Sequence, residues 1–212
     1  MSDDYKIAPL CKDCWHSIRP IDFNVCRSCA APLKAAGATI CVECIRNEPW
    51  FSNTFAYGVY DGALKEAIIA FKYAPYSRIL VRQLGTFFNA LNLPQANYII
   101  PVPLSKKRLI HRGFNQSLLL AREVSVKFSV PVYYDLLLKT RDTGQQAKRK
   151  RNERKKALKN AFVVNVNKGI DDKHIIVVDD VMTTGATLNE CAKALKKAGA
   201  SKVTCVVLAR AI

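Results

Sequence analysis

The apolar positions change period from segment to segment, and the changes outline alternating strands and helices. Phe55 to Tyr60 is a short aromatic-rich run that reads as a strand. From Gly62 to about Tyr73, Leu64, Ala67, Ile68 and Phe71 recur at helical spacing, and Pro75 stops the pattern. Ser77 is placed to cap a second helix running to about Leu91, with Leu80, Leu84, Phe87 and Phe88 inward. Tyr98 to Val102, closed by Pro101 and Pro103, predicts a buried strand opening into a loop. A helix is expected from Asn115 to about Val126, with strand-like runs at Tyr133 to Leu138 and Phe162 to Val166. The clearest unit comes last: strand His174 to Asp179, loop Asp180 to Ala186, helix Thr187 to Ala198, a stop at Gly199, and strand Lys202 to Leu208. Strands separated by helices predict an α/β fold with a largely parallel sheet and ligands at its carboxyl edge.

Ile175 to Val178 are apolar without interruption, as expected of an interior strand covered on both faces. Asp179 and Asp180 follow at its carboxyl end, where charge inside the sheet would be costly. A ligand bearing hydroxyls, or a bound cation, explains the pair better than packing does. Thr183, Thr184, Gly185, Ala186 and Thr187 then form a hydroxyl-rich turn into a helix, whose free N–H groups suit a phosphate. Acceptors for sugar hydroxyls and an anion site thus lie within the reach of one sugar phosphate. A plain strand, turn and capped helix leaves the paired carboxylates unexplained. A nucleotide-hydrolase strand would need a G-x-x-x-x-G-K-[ST] segment, which this sequence lacks.

The amino-terminal part follows a different rule. Six of the eight cysteines fall in C-x-x-C pairs, Cys11/Cys14, Cys26/Cys29 and Cys41/Cys44, each displaced by 15 residues from the last. Large apolar residues are too few before Pro49 to fold this part by burial alone. A boundary there divides a cysteine-rich module, 1–49, from an α/β domain, 50–212. Two pairs supply four thiolates for a tetrahedral structural zinc; an iron-sulfur centre and redox pairs are the other readings of the spacing. Cys191 and Cys205 stand alone in apolar segments and read as small core side chains.

Charge adds a partner class. The formal net charge is +16, from 33 Lys and Arg against 17 Asp and Glu, which favours phosphate-bearing partners. Residues 139–159 hold ten of the basic side chains, among them Lys148, Arg149, Lys150, Arg151, Arg154 and Lys155. They read either as a solvated face or as a surface for a phosphate backbone, with single-stranded DNA the expected partner and little dependence on base order. Lys107, Arg108 and Arg112 precede Gly113 in a second basic loop, and Arg offers a fork suited to phosphate oxygens. No stretch approaches the ~18 apolar residues of a membrane span and no secretory leader is evident, so a cytoplasmic location is expected.

Taken together, IIVVDDVMTTGATL, IPVPLSKKRLIHRGFNQS, TRDTGQQ, LKNAF and the cysteine pairs resemble the ComF family, whose members have a type I phosphoribosyltransferase fold and are associated with DNA uptake in natural transformation. The resemblance implies that Asp179 and Asp180 hold ribose hydroxyls and that Thr183 to Thr187 hold the 5-phosphate. It implies that the Arg108 to Asn115 loop faces the pyrophosphate of a 5-phosphoribosyl-1-pyrophosphate bound with Mg2+. It also implies a double zinc ribbon with four cysteine pairs, of which this chain lacks the first. On that basis Cys26, Cys29, Cys41 and Cys44 are the favoured zinc ligands, with Cys11 and Cys14 as the alternative. One departure stands at Ala157, where the family pattern has asparagine. No acceptor-binding motif is evident. The expected function is therefore a protein that binds a phosphoribosyl compound and single-stranded DNA beside the DNA-uptake machinery at the cytoplasmic face of the membrane. An active magnesium-dependent phosphoribosyltransferase is the alternative.

Overall fold

A computed structural model describes residues 11–72, 74–141, 158–165 and 169–212. Two short helices, α1 (Lys12–Ser17) and α2 (Val42–Arg46), lie in the cysteine-bearing part. Strand β1 (Asn53–Val59) is followed by α3 (Gly62–Phe71), α4 (Ala74–Gly85), a 3-10 turn (Thr86–Ala90) and β2 (Tyr98–Pro101). Next come α5 (Lys106–Arg112), α6 (Gln116–Phe128), β3 (Leu137–Lys139) and β4 (Phe162–Val164). The chain closes with β5 (His174–Met182), α7 (Ala186–Lys197) and β6 (Lys202–Arg210).

Four strands form a wholly parallel sheet in the order β1-β6-β5-β2, and β3 pairs with β4 antiparallel in a separate ribbon. The apolar run of β5 lies between β6 and β2 and is fully buried from Ile175 to Val178. Because successive strand residues point to opposite faces, Ile176 and Val178 join one core with Ile68, Phe71, Leu84, Leu120 and Val124. Ile175 and Val177 join the other core, with Leu188, Cys191 and Leu195 of α7. Each such side chain removed from water contributes about 1.5–3 kcal/mol, so β5 anchors both layers. Helix α6, which follows β2, packs in the first core, and α7, which follows β5, packs in the second. The connections from β2 and β5 thus leave toward opposite faces and open a crevice beyond the carboxyl ends of these neighbouring strands.

The edge of β1 is capped by the cysteine-bearing part. Ile21 N–H donates to Tyr57 O at 2.7 Å, and Thr54 N–H donates to Arg27 O at 3.1 Å, which occupies strand groups that would otherwise face solvent. Cys26, Cys29 and Cys44 belong to the same apolar cluster as Val177, Met182 and Ala186, so the two parts share one core.

Several boundaries differ from the sequence-based expectation. The helix from Gly62 ends at Phe71, ahead of Pro75 as expected, but Pro75 itself lies in the first turn of α4, which begins at Ala74. Proline fits there because its missing N–H has no intrahelical partner. Ser77 lies inside α4 and is not its cap. The basic segment read as a loop is helical from Lys106 to Arg112, because the Ser105 hydroxyl accepts from Arg108 N–H and Gly113 closes the helix at φ +76°. The strand expected at Tyr133 to Leu138 shrinks to Leu137–Lys139, whereas β5 continues past Asp179 and Asp180 to Met182 because β6 pairs with it that far.

Candidate functional site

Asp179 and Asp180 stand where β5 runs past the end of β2 while still paired with β6. Alternation sends them to different neighbours. Asp179 Oδ1 accepts from the Ser117 hydroxyl at 2.8 Å and from Asp180 N–H at 3.0 Å. Loss of water around its carboxyl, together with the adjacent charge of Asp180, pushes Asp179 up to about 7, against the pull of those two donors and of Lys72. Asp180 forms an ion pair with Lys72 at 3.1 Å. Burial opposes the charge on Lys72, but the carboxylate of Asp180 outweighs it and holds the ammonium above its usual value.

Three elements converge on this pair. Lys72 caps α3, whose apolar stripe runs Leu64, Ile68 and then Lys72 at four-residue steps. Phe71 beside it meets Phe114 with ring centres 6.4 Å apart, which ties the end of α3 to the turn between α5 and α6. That turn starts α6: Asn115 caps the helix by accepting from Ser117 N–H at 3.0 Å, and its amide donates to Val102 O at 3.1 Å beyond β2. Arg112, at the end of α5, is close enough for its charge to act against that of Lys72. Gln116 is buried, and its Nε2 has no hydrogen-bond partner among the described residues. Lys107 and Gly113 are exposed, and Arg108 is half-buried.

Downstream, Thr183 is exposed, Thr184 and Thr187 are half-buried, and Gly185 and Ala186 are buried. Gly185 has φ +75°, and a Cβ there would lie 2.5 Å from Met182 Cε, so any other residue would strain the turn and press on Met182. Thr184 Oγ1 accepts from Ala186 N–H at 3.4 Å. A small cleft lined by Asp179, Thr183, Thr184, Gly185, Ala186 and Thr187 joins the carboxylate to the start of α7.

In the amino-terminal part the sulfurs of Cys26, Cys29, Cys41 and Cys44 all lie within 4.8 Å of one another. Cys29 and Cys41 Sγ are 3.7 Å apart, close to the ~3.8 Å edge of a tetrahedron with ~2.3 Å zinc-sulfur bonds. The cluster is able to hold a metal ion. Cys41 N–H points at Cys26 Sγ at 3.3 Å, and donors of this kind, working against burial, bring the Cys26 thiol down to about 7. Burial and the neighbouring thiols raise Cys44. Cys11 and Cys14 are exposed on the first turn of α1 and lie outside this cluster. Lys148, Arg149, Lys150, Arg151, Arg154 and Lys155, together with Ala157, lie outside the described residues.

Lys72 and Ser117 were not singled out from the sequence. The signal for Lys72 was a lysine in register with a buried helical stripe. For Ser117 no local signal exists, because its partner lies 62 residues away.

Among the described residues, no helix is long and apolar enough to cross a membrane. Residues 115–212 match the phosphoribosyl transferase domain family. Competence protein F of Haemophilus influenzae is 34% identical over 212 residues, covering 95% of this chain and 90% of that protein. Competence protein ComFC of Bacillus subtilis is 28% identical, covering 95% of this chain and 84% of that protein. In the solved glutamine phosphoribosylpyrophosphate amidotransferase of B. subtilis, complexed with ADP and GMP, the matched region spans 66% of this chain and 30% of the enzyme, with a TM-score of 0.46 and 17% identity. The chain therefore belongs to the ComF family, with a type I phosphoribosyltransferase-like α/β fold and an amino-terminal cysteine cluster able to chelate a metal.

Proposed function

We propose that this protein binds a phosphoribosyl compound at the carboxyl end of β5 and single-stranded DNA on its basic surface, and that it serves DNA uptake. The carrying observation is a narrow cleft lined by Asp179 and by the turn around Gly185, with Asp180 next to Asp179 at the end of β5. Asp179 and Asp180 accept the ribose hydroxyls, and Thr183, Thr184, Gly185, Ala186 and Thr187 take the 5-phosphate at the start of α7. Lys107, Arg108, Arg112 and Gly113 attend the pyrophosphate. A diol competes with Lys72 for Asp180, which frees an ammonium for the ligand's phosphates. Mg2+ accompanies the pyrophosphate, and Cys26, Cys29, Cys41 and Cys44 hold a structural zinc, which makes residues 1–49 a folded module against the domain formed by 50–212. The relatives named for competence support the DNA-uptake role.

The test is calorimetric titration with 5-phosphoribosyl-1-pyrophosphate and magnesium. Changing both Asp179 and Asp180 to Asn preserves size and removes charge-assisted acceptors, so affinity falls at least ~10-fold in a folded variant. Unchanged affinity removes the assignment. The match of residues 115–212 to transferase domains favours a second reading, in which an acceptor displaces pyrophosphate. Pyrophosphate release in the same titration, with candidate acceptors added, separates binding from turnover.

A further inference from the structure

Arg210, the last residue of β6, is buried, yet no carboxylate pairs with it among the described residues. Its guanidinium is spent on backbone carbonyls from three places. Nε donates to Cys29 O at 2.7 Å; Nη1 donates to Met182 O at 3.0 Å, and also to Thr183 O and Ala211 O. Cys29 belongs to the four-sulfur cluster, and Met182 and Thr183 lead from β5 into the turn around Gly185. Beside these contacts the two regions border a cavity of about 420 Å³, lined by Cys29, Cys41 and Cys44 and by Thr184, Gly185 and Ala186. Apolar packing through Phe51, Met182 and Ala186 also joins the regions, but such contacts have no fixed direction. The guanidinium, in contrast, fixes the Cys29 carbonyl relative to those of Met182 and Thr183 by directed hydrogen bonds. A buried guanidinium bonded to several carbonyls is costly to displace, which makes the link stiff.

We propose that Arg210 is a positioning residue that couples the cysteine site to the phosphate-binding turn, so that metal retention and phosphoribosyl affinity depend on each other. The phosphate half of this coupling rests on the function proposed above. Arg210 touches neither the four sulfurs nor the turn's N–H groups; it holds the carbonyls beside them. The coupling is reciprocal: a ligand that orders the turn must slow metal loss.

The experiment uses the zinc-loaded full chain, with Arg210→Met and Arg210→Lys, each checked for folding by circular dichroism. Three quantities are read: zinc transfer to excess chelator, amide hydrogen exchange over residues 183–187, and affinity for 5-phosphoribosyl-1-pyrophosphate. Arg210→Met should raise both the transfer rate and the exchange rate and weaken binding, each at least ~5-fold. Arg210→Lys, which keeps the charge without the planar fork, should fall between it and wild type. Saturating ligand should slow zinc transfer in wild type and leave Arg210→Met unaffected. If transfer and exchange both stay at wild-type values, or only one of them moves, the coupling is overturned. If wild type binds no ligand but Arg210→Met still accelerates both, the phosphoribosyl reading falls and the structural link stands. Should Arg210→Met fail to fold, Arg210→Lys is judged by the same criteria.

Discussion

One face of strand β5 and the cysteine cluster belong to the same apolar core, yet the two regions are held by different forces. Ile175 to Val178 bury every side chain between neighbouring strands. In the described part of the cysteine segment the buried apolar side chains are Ile18, Ala30 and three cysteines, while Val42 and Ile45 remain exposed. The first region is stabilised by displaced water; the second has little apolar surface to hide and brings together four sulfurs able to hold a metal ion. The contrast teaches that a fold can be continuous in space while its stability comes from separable sources.

Metal removal should break the comparison most sharply. Structural zinc supplies on the order of 10 kcal/mol of folding free energy in small modules. Protein made without added metal should carry close to one zinc per chain. Cys26→Ser or Cys41→Ser should lose it and open the cysteine segment to protease while the sheet survives. Metal retention in both variants, read by elemental analysis, points instead to Cys11 and Cys14.

A core truncation should do the converse. Ile176→Ala should cost ~2–5 kcal/mol in denaturant unfolding and leave zinc stoichiometry unchanged in the folded fraction. Loss of zinc in the folded variant would show that the two regions are not separable.

Within the β5 region, acidity sharpens the contrast between packing and function. Because Asp179 rises from its ordinary 3.8 to about 7, the folded chain holds a proton that the unfolded chain releases in that window. The unfolded state binds fewer protons there, so stability falls as pH climbs from about 4 to about 7. Asp179→Asn should therefore raise the melting temperature more at pH 8 than at pH 5, at the expense of ligand binding. Equal gains at both pH values reject the raised acidity.

The smallest expected effect concerns the basic surface. Changing Lys148, Arg149, Lys150 and Arg151 to Gln should weaken single-stranded DNA binding for every base order and reduce the salt slope by at most ~3, since each phosphate contact contributes roughly 0.7. Fluorescence anisotropy across a salt series reads it, and an unchanged affinity and slope make the stretch a solvated face.

The alternating periods and the unbroken apolar run of β5 made the parallel α/β sheet legible in the sequence, because burial on both faces writes itself into consecutive residues. The carboxylate pair and the turn around Gly185 were legible for the same local reason: their residues are neighbours in the chain. The helix from Lys106 to Arg112 was missed because it has no buried stripe; Leu109 and Ile110 are exposed, and its ends are set by Ser105 and Gly113. Lys72, Ser117 and Arg210 acquired their roles only in three dimensions. Their partners lie 108, 62 and up to 181 residues away in the chain, and a charge or hydroxyl in a sequence does not say which distant acceptor will satisfy it once water has been excluded.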